Sequence, residues 1–341
     1  MKPFSKFGFG RKKTDNRGKE VPAEAVKMPE TEIIPDSDGM NADAQDEPAQ
    51  EGDFSDTLVL DESVTLRLNI PDTAPAPAAG AGSQRFPQAG ISIGSASLKG
   101  TREYQQDALA YKTAGWKRNA AGRAAAVLCD GMGGLNAGEK ASGLACGRLI
   151  EELDVPWGQF PGVLSDALSD INYEVAHLRD EKGTPLGCGT TAVAVVVEGD
   201  GMYYASVGDS RIYLIRSGRL RCLTRDHTYG NELDDQAAAG KISPEKARAS
   251  ENRAALTSYL GIRRLDQIDS NRDAVHLIPG DIVLLCSDGL YKSLPEPEFV
   301  TAVTSCGTDM QLAARYLAER AVGMPGRHDN TTVVLMGYLP G

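Results

Sequence analysis

VLCDGMGG, at residues 127–134, is the stretch from which the fold is predicted. An apolar run that stops at Asp130-Gly131 is typical of a buried strand that presents a carboxylate at its exposed end. The glycines that follow allow positive φ angles and let the backbone come close to an ion or a phosphate. A plain hairpin turn has the same local pattern. The stretch alone therefore leaves both interpretations open.

The same pattern occurs elsewhere in the chain. LLCSDGL, at residues 284–290, places Asp288 directly after an apolar run. HDNTT, at residues 328–332, places Asp329 just before the apolar run VVLM. Three carboxylates at strand ends, far apart in sequence, suggest oxygen ligands for a hard divalent cation such as Mg²⁺ or Mn²⁺.

Composition excludes several classes of protein. The net charge of −11 over 341 residues argues against general nucleic-acid binding, which needs a basic face. All six cysteines follow residue 128 without a CxxC pair, which favours buried thiols in a reducing cytosol. No stretch approaches the ~18 consecutive apolar residues of a transmembrane segment, and no secretion signal is visible. We expect a soluble, cytoplasmic protein, and the acidic composition with a single folded unit favours a monomer.

Residues 1–88 are predicted to be a disordered, charge-segregated tail and linker. Residues 1–19 carry seven Lys/Arg against one acid, whereas residues 20–90 carry fifteen acids against three bases. Such a stretch cannot bury enough apolar surface to offset the entropy lost on ordering. The Pro/Ala/Gly-rich residues 71–83 have the composition of a linker. Residues 89–341 are predicted to form the folded, catalytic domain.

The folded part is predicted to be α+β. Hydrophobic periodicity predicts helices at 138–153, 162–179, 296–304 and 309–321, and short surface helices within a flap at 228–253. Strands are predicted at 91–96, 107–112, 123–130, 190–197, 202–207, 211–216, 220–223, 274–277, 282–286 and 331–338. Tight turns at 198–201 and 217–219 indicate hairpins and an antiparallel sheet. Groups of strands alternating with helix pairs fit antiparallel sheets covered by helices.

Seven segments in a fixed order carry a family resemblance. They are Arg102 with Asp107, DGMGG at 130–134, GTT at 189–191, VGDSR at 207–211, LTRDH at 223–227, SDGL at 287–290, and Asp329-Asn330. Together they resemble the metal-dependent protein phosphatase family (type 2C), specifically its bacterial serine/threonine branch. The resemblance covers residues 90–338. It implies a sandwich of two antiparallel β-sheets flanked by α-helix pairs.

The resemblance also implies a chemistry. It suggests a phosphatase acting on phosphoserine and phosphothreonine proteins, opposing a serine/threonine kinase, with two Mn²⁺ or Mg²⁺ ions. Asp130 would bridge both ions, and the carbonyl of Gly131 would complete the coordination of one. Asp288 and Asp329 would hold the other, and Asp107 would orient metal-bound water. In-line attack by a metal-bridging water or hydroxide would then hydrolyse the phosphomonoester.

Arg102 is the predicted phosphate-binding residue. It lies five residues before Asp107, where the family places a guanidinium that binds phosphate in a forked pair. The predicted catalytic set is therefore Asp130, Arg102 and Asp107. The competing interpretation of Arg102 is a surface ion pair with Glu103. Asp209, in a Gly-Asp-Ser-Arg hairpin, is expected to order its turn rather than to bind metal.

The chain departs from the family at several site positions. Met132 and Leu135 stand where many relatives carry a histidine proposed to protonate the leaving group. Gly187 and Lys292 stand where acids contribute to a third ion in some relatives, which argues against a third ion here. Lys292 is instead expected to bring a fixed positive charge into that space.

Other functional classes stay open at this stage. One is a catalytically weak or inactive phosphatase-like module that binds phosphorylated partners, and another is a phosphatase of small phosphoesters. The active protein phosphatase is favoured because all of the metal-binding carboxylates are present.

Overall fold

The computed structural model of the chain describes residues 90–113, 122–134, 137–156, 158–160 and 162–339. The predicted tail, residues 1–88, lies outside these residues. Within the described ranges the chain forms twelve β-strands and seven helices. None of these helices is both long and apolar enough to cross a membrane.

The strands lie close to their predicted positions. They are β1 (Gly90–Leu98), β2 (Asp107–Lys112), β3 (Arg123–Met132), β4 (Gly189–Thr190), β5 (Ala192–Glu198), β6 (Gly201–Val207), β7 (Arg211–Arg216), β8 (Arg219–Cys222), β9 (Asp269–Ser270), β10 (Val275–His276), β11 (Ile282–Cys286) and β12 (Thr331–Leu339). The helices are α1 (Ala137–Glu152), α2 (Gly162–Ala176), α3 (Tyr229–Ala238), α4 (Pro244–Arg248), α5 (Asp288–Tyr291), α6 (Glu296–Cys306) and α7 (Met310–Val322).

The strands form two antiparallel sheets, so the α+β prediction is confirmed. The first sheet has the order β1-β12-β11-β7-β8, and β1 is one of its edges. The second has the order β10-β6-β5-β3-β2, with β4 paired to β3 and β9 to β6. The tight turns place β5 beside β6 and β7 beside β8, as the hairpin pattern predicts.

Helix pairs cover the outer face of each sheet, as the sandwich prediction requires. Leu128 of β3 lies in the core between the sheets, together with Leu285 of β11. Its neighbour Val127 points to the opposite face and packs against the helix pair α1 and α2. Helices α6 and α7 cover the first sheet in the same way. Every residue of β5 is buried because both faces of that strand are covered.

The predictions differ from the structure in detail. The strand predicted at 190–197 is divided into β4 and β5 at Thr191, whose backbone N–H donates to the carbonyl of Asp130 (2.8 Å). The two-residue strand β9 and the four-residue helix α5 were not predicted. Elements this short have no periodicity to detect. The flap contains α3 and α4, as predicted.

Candidate active site

Two of the predicted acids lie side by side on neighbouring strands. Asp107 of β2 is the direct antiparallel partner of Asp130 of β3. Directly opposite residues have Cα atoms about 4.5–5.5 Å apart and side chains on the same face of the sheet. The register of this one hairpin pair therefore brings two carboxylates together at the end of the second sheet.

The GTT segment fixes the backbone of Asp130. The Asp130 N–H donates to Oγ1 of Thr191 (3.0 Å), and the Asp130 carbonyl accepts from Oγ1 of Thr190 (2.9 Å). Oγ1 of Thr191 also lies 2.7 Å from Oγ of Ser210, in the VGDSR segment. Two of the family motifs thus support the backbone from which the central carboxylate projects.

Glycine follows two of the acids because neighbouring backbone comes very close. A Cβ at Gly131 would lie 2.1 Å from the carbonyl oxygen of Gly138, and one at Gly289 would lie 2.1 Å from that of Asn330. Neither glycine is among the residues with positive φ. Asp130 and Gly131 lie inside β3, so the hairpin-turn interpretation of this stretch is wrong.

The first sheet contributes Asp288 and Asp329. Asp288 is the first residue of α5 and is separated from β11 by Ser287 alone, and Asp329 lies two residues before β12. Oγ of the fully buried Ser287 donates to Oδ2 of Asp107 (2.8 Å) and so joins the two sheets at the site. The acids of both sheets therefore lie close enough for their charges to act on Asp130.

Burial and mutual repulsion perturb the acids. Burial raises the pKa of Asp107 to about 7. Hydrogen bonds from Thr332 and Ser287 lower this pKa, and the negative charges of Asp288 and Asp329 raise it further. Burial also raises the pKa of Asp130 well above its usual value, and repulsion by the surrounding carboxylates adds to the effect. The carboxylates that repel Asp130 are Asp107, Asp288, Asp209 and Asp329. The negative charge is thus concentrated in one cluster.

Basic side chains face the outer members of this cluster. Nη2 of Arg102 lies 2.5 Å from Oδ2 of Asp329. Nζ of Lys292 forms an ion pair with Asp288 and lies 3.6 Å from Oδ2 of Asp209. Because carboxylates repel each other, each of these acids gains from a cationic neighbour.

The chemistry of the donor set fits a hard divalent cation. Oδ1 of Asp107 and Oδ1 of Asp288 are buried and have no hydrogen-bond partner among the described residues. Acceptors that are buried without a donor are costly unless a cation or a water satisfies them. Among the described residues, no three His, Cys, Asp or Glu side chains are already gathered tightly enough to hold a metal ion. The outer acids are turned toward Lys292 and Arg102 instead.

Comparisons with known proteins identify the family of this chain. The family described as protein phosphatase 2C matches residues 96–319, more than half of the chain. The chain belongs to the protein phosphatase 2C family. The match ends before Asp329, so the place of Asp329 at the site rests on the fold.

Relatives in this family come from several bacteria. The chain is 33% identical over 229 residues to the protein phosphatase PhpP of Streptococcus pneumoniae, covering 64% of this chain and 87% of that one. It is 31% identical over 219 residues to the serine/threonine phosphatase Stp of Listeria monocytogenes, covering 62% and 82%. A crystal structure of the catalytic domain of PstP in complex with two manganese ions superposes with a TM-score of 0.57 at 29% identity, covering 73% and 98%.

The contacts decide between some of the competing interpretations. Arg102 forms an ion pair with Asp329, which lies two residues before β12. Among the described residues, no ion pair joins Arg102 to Glu103. The expectation that Asp209 orders its turn rather than binds metal stays a prediction, and its carboxylate faces Lys292 and the hydroxyl of Tyr291. Met132 is the last residue of β3, and Leu135 lies outside the described residues.

Sequence reasoning missed the positioning role of Asn330. Its Oδ1 accepts from the backbone N–H of Gln106 (2.8 Å), and its Nδ2 donates to the carbonyls of Lys99 (2.9 Å) and Tyr104 (3.0 Å). This buried amide therefore anchors the loop, residues 99–106, that carries Arg102. Its place directly after Asp329 in a family motif was the available signal, but the partners are more than 220 residues away.

Proposed function

We propose that the protein is a metal-dependent serine/threonine protein phosphatase, a phosphoric monoester hydrolase acting on phosphoserine and phosphothreonine proteins. The observation that carries this function is the convergence of acids from both sheets beside the Arg102 guanidinium. Membership of the protein phosphatase 2C family supports the same activity. A serine/threonine kinase as the opposing partner, a cytoplasmic location and a monomeric state stay predictions.

We propose that two Mn²⁺ or Mg²⁺ ions bind to this acid cluster. Asp130 and the carbonyl of Gly131 would hold one ion, and Asp130, Asp288 and Asp329 would hold the other, with Asp107 beside them. When bound, such a pair lowers the pKa of water and neutralises charge that develops on the phosphoryl group. Two manganese ions in the PstP structure support the choice of metal.

Arg102 is proposed to bind the substrate phosphate. Its side chain is 57% exposed, so a phosphate attached to another protein can reach it. The planar guanidinium can donate to two phosphate oxygens at once. Asn330 holds the loop in place, so Arg102 is presented next to Asp329 at the edge of the acid cluster. Arg102 therefore orients the phosphate toward the acids.

The carboxylate of Asp130 provides the decisive test. We expect wild type to hydrolyse p-nitrophenyl phosphate and a phosphothreonine peptide only with Mn²⁺ or Mg²⁺. Asp130→Asn should lower both rates by at least on the order of 10–100-fold, because the proposed bridging ligand loses its charge. Asp170→Asn, on the exposed face of α2, is the matched control and should keep the wild-type rates.

The same assay separates the alternatives. If wild type and Asp130→Asn are equally inactive, the proposed activity is wrong, and the protein is a phosphatase-like module that binds phosphorylated partners. Faster hydrolysis of free metabolite phosphoesters than of phosphopeptides would replace the protein substrate with a small one.

A further inference from the structure

Lys292 lies between two acids of the cluster. It follows Asp288 by four residues, one helical turn, and its Nζ forms an ion pair with the Asp288 carboxylate. The same Nζ lies 3.6 Å from Oδ2 of Asp209. The Lys292 side chain is 52% exposed, whereas the side chains of Asp209 and Asp288 are 12% and 15% exposed. The ammonium therefore lies on the solvent-exposed side of two largely buried carboxylates.

Asp209 is held in place from its other side. The hydroxyl of Tyr291 donates to the backbone carbonyl of Asp209 (3.0 Å) and lies 3.4 Å from its Oδ2. The ring of Tyr291 lies under the guanidinium of Arg211, 3.6 Å from its carbon to the ring centroid. Arg211 forms a forked pair with Asp226 (2.9 and 2.7 Å). These contacts keep the Asp209 carboxylate facing Lys292 and Asp288.

One ammonium faces two carboxylates at this position, those of Asp209 and Asp288. One positive charge thus compensates two carboxylates that would otherwise repel each other.

We propose that Lys292 is a tethered cation that occupies the space between Asp209 and Asp288 and prevents a further divalent ion from binding there. A divalent ion of the Mg²⁺ type must approach carboxylate oxygens to about 2.0–2.1 Å. The ammonium already occupies the approach to Oδ2 of Asp288, and its charge repels a further cation there. Oδ1 of Asp288 is buried without a hydrogen-bond partner among the described residues, and it is the oxygen left for the proposed two-ion site. This inference rests on the proposed metal-dependent function, and it adds that the number of bound ions is limited by the side chain of Lys292.

Metal stoichiometry tests the role of Lys292 without an activity assay. Equilibrium dialysis of the full chain against Mn²⁺ should give one more bound ion in Lys292→Asp than in wild type, because a repelling charge becomes a ligand. Lys246→Asp makes the same charge change on the exposed surface of α4 and should bind as many ions as wild type. Asp130→Asn, measured in parallel, should bind fewer.

Thermal unfolding gives a second measurement. In the metal-free state, Lys292→Met should unfold at a lower temperature than wild type, because Asp209 and Asp288 lose their shared counter-charge. Mn²⁺ should raise the midpoint of Lys292→Met more than that of wild type.

The outcomes separate the two proposals. Equal stoichiometry in wild type and Lys292→Asp, with Mn²⁺ bound to both, would overturn the role of Lys292 and leave the metal-dependent function intact. No Mn²⁺ binding to wild type would overturn the metal site itself, and this role of Lys292 with it. A midpoint of metal-free Lys292→Met equal to that of wild type would contradict the counter-charge.

Discussion

Gly131 and Gly289 each follow a proposed metal ligand, and each lies against a carbonyl of another segment. The carbonyl of Gly138 faces Gly131, and that of Asn330 faces Gly289. A side chain at either position would push the acid before it away from the cluster. The glycine in these Asp-Gly pairs is therefore required by close packing of backbone, while the aspartate is available for chemistry.

Alanine at these glycines should destabilise the fold. We expect Gly131→Ala and Gly289→Ala to lower the free energy of unfolding by about 1–3 kcal/mol each, the usual cost of overpacking. The loss can be measured by urea denaturation. Gly143→Ala is the matched control, because Gly143 is helical and its Cβ would meet open space. It should gain about 0.5–1 kcal/mol. Equal effects at all three positions would contradict the packing explanation.

At the level of elements, the loop that carries Arg102 is held in place by the segment just before β12, residues 328–330. Asn330 lies just before β12 and makes three hydrogen bonds to the backbone of residues 99–106. Thr101 adds to this link, because its N–H and hydroxyl both donate to the carbonyl of His328 (3.0 Å each). Phosphate binding is thus coupled to the first sheet.

Removing the Asn330 amide should affect both stability and substrate binding. Asn330→Ala removes a buried amide and leaves three backbone groups of residues 99–106 without their partner, so we expect a loss of about 1–3 kcal/mol in the free energy of unfolding. KM for a phosphopeptide should rise because the Arg102 loop is no longer held.

A substitution at the loop's own arginine separates the two effects. Arg102→Ala should lower kcat/KM and leave the free energy of unfolding within about 0.5 kcal/mol of wild type, because its side chain is largely exposed. An unchanged KM in Asn330→Ala would show that the loop does not need this anchor.

At the level of the whole molecule, the acid cluster sets how stability depends on pH. The pKa of Asp107 is raised from 3.8 to about 7, and that of Asp130 is also raised. The folded protein therefore binds these protons more tightly than the unfolded chain does. Their contribution to stability is present at low pH and is lost as the pH rises through this range.

Metal removal should reveal this dependence. In chelator, the stability of wild type relative to Asp107→Asn should fall as the pH rises from about 4 to 7, because only wild type must ionise the buried acid. Excess Mn²⁺ should stabilise wild type more at pH 8 than at pH 5, because cations bind the deprotonated carboxylates. Thermal unfolding of both proteins across this range measures the effect. A constant difference between them would contradict the buried acid cluster.

Much of the fold follows from local patterns in the sequence. The apolar run of β3 and the tight turns after β5 and β7 involve residues that are close together in the sequence, so a buried strand, hairpins and an antiparallel sheet could be predicted. The order of the Asp-Gly segments indicated the phosphatase family and the acids of the site. The predicted termini of β2, β7 and β11 agree with the structure for the same reason.

Only the tertiary structure decided which hydrogen bonds hold these acids in place and which cations balance their charge. Ser287 reaches Asp107 across 180 residues, and Asn330 reaches Gln106 across 224. The packing of Tyr291 and Arg211 directs the Asp209 carboxylate toward Lys292. Such contacts depend on strand register and on how two sheets pack, and no local pattern of side chains encodes either. The sequence by itself therefore determined the kind of chemistry, and the packing of the sheets determined the geometry and the charge balance in which it takes place.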